Sequence, residues 1–262
     1  MTELTDEQRA LFNACIDGSW KFNNGLVDVT GSVNLAGRSL RRLPVPFGAV
    51  TGDFYCNHTR LASLEGAPTQ VGGDFICGYN QLTSLGGAPT RVGRGFDCCH
   101  NQLTSLEGAP TQVGGSFLCS HNQLLHLAGT PTQVDRDFYC GYNKLTSFEG
   151  APAQVGGSFF CSRNLLISLA GAPIQVGRNF FCSYNKLTSL EGAPAQVGRN
   201  FFCSYNKLTS LEGAPAQVGH DFDCSYNQLA SLDELFTQIG GRVFYAGNPV
   251  ERERRRVIPL RF

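Results

Sequence analysis

The sequence predicts a repeat solenoid, and two observations predict it. Residues 178–198 read RNFFCSYNKLTSLEGAPAQVG, and residues 199–219 repeat them without change. Nine cysteines, Cys56, Cys77, Cys98, Cys119, Cys140, Cys161, Cys182, Cys203 and Cys224, follow one another at intervals of 21 residues. A fixed period of this length marks stacked supersecondary units, each too small to bury a core by itself. The cysteine register continues to Leu35 on one side and Tyr245 on the other, so that (245 − 35)/21 = 10 intervals join eleven positions. Eleven turns are therefore expected, with degenerate outer turns serving as caps.

Each turn reads in outline F-x-C-x-x-N-x-L-x-x-L-x-G-x-P-x-x-V. The F-x-C pair alternates as a short strand does, with Phe and Cys inward and the residue between them outward. An asparagine column follows, from Asn80 to Asn248. A buried asparagine needs its amide satisfied, and stacked identical turns can offer it the backbone of a neighbour. Leucines such as Leu82 and Leu85 complete the core. Gly-Ala-Pro then turns the chain back through a segment with no room for a helix, and Val71 or Val92 anchors the return.

These motifs resemble the leucine-rich-repeat pattern LxxLxLxxNxLxxL, with Phe and Cys in place of two leucines. They are most similar to the short LTSLEGAP-type repeats of bacterial and bacteriophage proteins, and the resemblance covers roughly residues 29–250. It implies a right-handed superhelix with a parallel sheet on the concave side and an extended, helix-poor convex side. It implies no activity. At roughly 4.8 Å per strand the array should be about 50 Å long.

Two segments flank the array. In residues 1–28, Thr5 with Gln8 forms a capping-box pattern, and Leu11, Phe12, Cys15 and Ile16 make a helical stripe ending near Gly18. With Trp20 and Phe22 this reads as an N-terminal helical cap over the first turn. Residues 251–262, with the run Arg254, Arg255, Arg256, read as a C-terminal cap or tail.

Composition narrows the function. The 21 basic and 21 acidic residues balance to a formal charge of zero, so no whole-molecule field draws the chain to nucleic acid. No apolar run is long enough to span a bilayer, and the N-terminus carries acids where a secretory signal carries bases. The expectation is a cytoplasmic chain without membrane partner. The cysteine column reads as reduced, small apolar residues. No cofactor motif is present.

Binding is expected on the outward positions of the strands, which have no core duty. The position between Phe and Cys holds Tyr55, Ile76, Asp97, Leu118, Tyr139, Phe160, Phe181, Phe202, Asp223 and Phe244. Two residues past the cysteine lie His58, Tyr79, His100, His121, Tyr142, Arg163, Tyr184, Tyr205 and Tyr226. Together they predict an aromatic strip along the sheet, densest from Tyr139 to Tyr226, and exposed aromatics mark interaction surfaces. The leading expectation is a non-catalytic scaffold that holds a protein on Tyr139, Tyr142, Phe160, Arg163, Phe181, Tyr184, Phe202, Tyr205 and Tyr226. The alternatives are a glycan- or nucleic-acid-binding module and a self-assembling structural component. The same rings could instead stack on one another and simply stiffen the sheet. A cluster of Asp97, Cys99, His100 and His121 departs from its columns and has the residue types of a zinc or thiol site. Histidine is a mild substitution in an aromatic column and no oxyanion donor is recognisable, so the cluster reads as drift, and no metal or catalytic residue is assigned.

Overall fold

The computed structural model describes residues 3–235 and 237–250. The chain opens with helix α1 (Asp6–Cys15), whose capping box forms as expected. The Gln8 N–H donates to the Thr5 hydroxyl at 3.2 Å, and the Thr5 N–H donates to Gln8 Oε1 at 2.9 Å. The Gln8 amide then donates to Pro44 O at 3.0 Å, tying the helix to the first turn. Phe12 is buried and meets Trp20 and Phe47 edge-on, at ring separations of 5.5 and 6.1 Å.

The helix stops at Cys15, not near Gly18, because Ile16 already belongs to strand β1 (Ile16–Asn23). An Asn24-Gly25 turn, with φ of 50° and 80°, reverses the chain into antiparallel β2 (Leu26–Asn34). Both turn residues need positive φ, which Asn and Gly accept at least cost. Strand β2 then belongs to both walls of the solenoid and joins them here into one sixteen-stranded sheet. Its first half pairs in parallel with β3 (Phe47–Val50), and its last two residues pair with Phe54–Tyr55.

From β2 onward the chain winds as a parallel solenoid. Eleven described strands stack in register in the first sheet, from Val33–Asn34 through Phe54–Tyr55 to Val243–Phe244. Ten return strands, from β3 to Gln238–Ile239, lie between them. The eleven register positions thus enclose ten complete turns, one fewer than expected, because the last strand has no return strand after it among the described residues. The helix-poor character holds: after β3 each return is a two-residue strand, such as Gln70–Val71.

The core consists of columns. Nine phenylalanines, Phe54 to Phe222, stack along it with neighbouring centroids 5.2–5.8 Å apart, all without solvent exposure. Beside them the cysteines are fully buried, and several thiols donate to a carbonyl of the next turn, as Cys161 Sγ does to Phe181 O at 3.1 Å. The asparagine column is the stitching. Asn185 Nδ2 donates to Cys161 O (3.1 Å) and Cys182 O (3.0 Å), while its Oδ1 accepts the Leu166 N–H at 3.1 Å. The same pattern recurs at Asn101, Asn122, Asn206 and Asn227.

One turn breaks the return sheet. Strand Gln112–Val113 does not pair with Gln133–Val134, and the return strands beyond it form a separate six-stranded sheet. From Val71 onward the return strand is followed, in every turn but one, by a glycine tight against the preceding turn. A Cβ on Gly114 would sit 2.3 Å from Gly93 O, and one on Gly177 would sit 2.0 Å from Gly156 O. At the break that residue is Asp135, whose Cβ has no such room. Gly114 and Gly156 donate to Val92 O and Val134 O at 3.0 Å, yet among the described residues no matching bond from Asp135 N to Val113 O forms.

Candidate functional site

The two outward columns take different backbone conformations. Those between Phe and Cys lie in the strands and are half-buried. Tyr139, Phe160, Phe181 and Phe202 stack in one ladder, with centroids 4.0, 4.3 and 4.9 Å apart. Asp97 and Asp223 stand in the same column and do local work: each carboxylate accepts a backbone N–H two residues on, from Cys99 at 2.8 Å and Ser225 at 2.9 Å.

The second column stands just beyond the sheet, where the chain turns. All nine residues from His58 to Tyr226 have left-handed backbone, with φ between 54° and 60°. For a residue with a Cβ that conformation costs roughly 1–2 kcal/mol. Stacking offsets it. His58, Tyr79, His100, His121 and Tyr142 lie face to face with centroids 4.1–4.3 Å apart. Tyr184, Tyr205 and Tyr226 continue at 4.4 Å, and such pairs contribute about 0.5–1.5 kcal/mol each. Arg163 bridges the two runs, its guanidinium 5.2 Å from the Tyr142 ring and 4.2 Å from the Tyr184 ring. At the far end Gly247 takes the same register and conformation, and a Cβ there would lie 2.6 Å from the Tyr226 ring. Its bare backbone therefore closes the ladder.

The ladders fix what the rings can offer. Their faces are occupied by one another, and their edges and phenolic hydroxyls look outward; Tyr142, Tyr184, Tyr205 and Tyr226 are 41–51% exposed. Desolvation, then the flanking Tyr184 and Tyr226, pushes the Tyr205 phenol upward, so it stays a neutral donor and acceptor. All nine residues expected to bind, from Tyr139 to Tyr226, are thus brought onto one surface as two parallel ridges.

The Asp97, Cys99, His100 and His121 cluster is organised for structure. Asp97 is turned to the Cys99 N–H, and His100 and His121 face each other at 4.1 Å. Burial, then the Asp97 charge, pushes the Cys99 thiol far up, while burial and then His100 lower the His121 imidazole. Among the described residues no three His, Cys, Asp or Glu side chains are placed to hold a metal. The other thiols are raised by burial too, Cys224 up to about 12. Since only the thiolate attacks, the folded protein is expected to resist a disulfide thiol reagent near pH 8, whereas all eleven cysteines react once it is unfolded. A thiol count in native buffer tests this; rapid reaction of even one cysteine contradicts it.

Sequence reasoning missed a second surface. The return strands leave a row of exposed glutamines beside the side-chain-free glycines, and grooves run along it. The larger, about 920 Å³, is lined by residues including Gln70, Arg91, Gln112, Gly114 and Asp135. The signal was present in the Q-V-G triplet that six of the turns carry. No helix among the described residues is long and apolar enough to cross a membrane.

No family model matches the chain, and no curated protein matches it. Among solved structures it is similar to YopM from Yersinia enterocolitica WA-314, with a TM-score of 0.56 and 17% sequence identity. The match covers 83% of this chain and 64% of that one, so the chain spans less than two thirds of its structural relative. At that identity the likeness is one of fold: the chain is a helix-poor parallel solenoid with a 21-residue repeat, built on the leucine-rich-repeat plan.

Proposed function

We propose that this solenoid is a non-catalytic scaffold that holds a protein partner against the two aromatic ridges between Tyr139 and Tyr226. The observation that carries the reading is the exposed ladder itself. A stiff row of amphipathic side chains, already ordered by stacking, loses little conformational entropy on association. Protein is favoured over glycan or nucleic acid because sugars and bases bind aromatic rows through open ring faces. Here the faces are taken, at 4.0–4.9 Å between rings, and the edges and hydroxyls remain for side chains and backbone.

The test is the double variant Tyr184→Ala, Tyr205→Ala. It removes two rungs of one ridge and leaves the phenylalanine core untouched. Affinity capture with wild type should retain a protein that the variant loses, with both chains showing the same circular dichroism. Undiminished capture would overturn the reading. A partner that proves to be a polysaccharide or a single-stranded nucleic acid would do so as well.

A further inference from the structure

Turn 159–179 differs from the following turn at five positions: Arg163 for Tyr184, Leu165 for Lys186, Ile167 for Thr188, Ala170 for Glu191 and Ile174 for Ala195. Three of these changes place large apolar side chains in solvent, Leu165 at 39%, Ile167 at 63% and Ile174 at 66% exposure. The fourth removes the acid that the adjoining turns carry, and the fifth places a cation in the ladder. A single turn thus gains apolar surface and loses an acid, while its extra cation moves from the lysine position (Lys186 in the following turn) into the ladder at Arg163.

The geometry orders these groups. Asn164 and Leu166 are buried, and Arg163, Leu165 and Ile167 are exposed at alternate positions, with the left-handed Arg163 at the bend and the two apolar side chains after it. The guanidinium is clamped between Tyr142 and Tyr184, which occupy its faces and leave the edge carrying its N–H donors directed away from the stack. Among the described residues no carboxylate pairs with it. A planar fork held in place matches a carboxylate bidentately and has little rotamer freedom left to lose.

We infer that Arg163, Leu165 and Ile167 form a recognition patch for an acidic peptide segment, one that presents a carboxylate close to an apolar side chain. This rests on the reading of the aromatic ridges as the partner surface and names the chemistry of the partner. Arg163 receives the carboxylate, and Leu165 and Ile167 receive the apolar side chain.

The probe is a short fluorescein-labelled peptide alternating leucine with glutamate, titrated against the intact chain by fluorescence anisotropy, beside a counterpart with glutamine for glutamate. The Arg163→Tyr variant restores the tyrosine of the following turn, so the ladder persists while the cation goes. It should weaken the acidic peptide about tenfold and abolish its advantage over the neutral one. Leu165→Gln with Ile167→Thr, residues native to these columns in other turns, should weaken both peptides alike. The inference is overturned if the acidic peptide does not bind, if Arg163→Tyr binds it as wild type does, or if the neutral peptide binds equally well. It is also overturned if a single-stranded oligothymidylate competes more strongly than the unlabelled peptide. Because Arg163→Tyr leaves both ridges whole, its failure would remove the carboxylate fork alone. Failure of the ridges would appear separately, as undiminished capture by the tyrosine-to-alanine pair.

Discussion

Replacing Asn185 by alanine is expected to destabilise the solenoid by about 3 kcal/mol, although the side chain removed is small and polar. The bonds decide the size. Cys161 O also accepts from Asn164, and Cys182 O also accepts from Asn206, so each carbonyl keeps one partner. The Leu166 N–H has no such reserve, since its acceptor is Asn185 Oδ1, and it would be left unpaired in the interior. An orphaned buried donor costs about 1–3 kcal/mol, and the two lost donations about 0.5–1.5 kcal/mol each. Asn185→Asp should be no better: it keeps an acceptor for Leu166 but aims a carboxylate at two carbonyl oxygens. Denaturant unfolding gives the magnitude, and hydrogen exchange should show the Leu166 amide losing its protection. A loss below about 1 kcal/mol with that amide still protected would show that the stitching lies elsewhere.

The second large effect concerns a methyl group. Gly177→Ala should split the return sheet between Gln154–Val155 and Gln175–Val176, because the new Cβ would fall 2.0 Å from Gly156 O. The bond from Gly177 N to Val155 O, now 3.0 Å, is the first to be lost. With its neighbours the cost should be about 2 kcal/mol. The native chain already contains the converse case. Asp135→Gly should let residue 135 reach Val113 O, rejoin the two return sheets and raise the melting temperature by several degrees, about 1 kcal/mol of stabilisation. Calorimetry of the two variants side by side tests the pair. Equal and unchanged melting temperatures would exclude steric contact as the cause of the break.

Most of the scaffold was legible because repetition makes a column of each role. Phe, Cys, Leu and Asn announce burial once their spacing is seen, and every one of those columns is in the core. The exposed ridges were legible as residue types, but the left-handed backbone of the second was not. Tyrosine and histidine give no local signal for positive φ, which stacking between turns makes tolerable. The clue lay at the ends of the column, where Gly37 and Gly247 hold the same register. The hairpin β1–β2 was written in the alternation of Trp20, Phe22, Val27 and Val29 around Asn24-Gly25, but the helical stripe before it suggested a longer helix. The break at Asp135 was visible as the one non-glycine in the column between Gly72 and Gly240. Its meaning needed the distance to the turn before.

That break also divides the molecule mechanically. The first sheet runs on past it like a spine, whereas the return side is creased at one rung, so bending there strains only one of the two walls. Tyr139 and everything beyond it through Tyr226 lie on the same side of the crease, backed by the unbroken six-stranded wall. The ridges thus rest on one continuous return wall, and the crease between them and the N-terminal turns is where the solenoid opposes bending least.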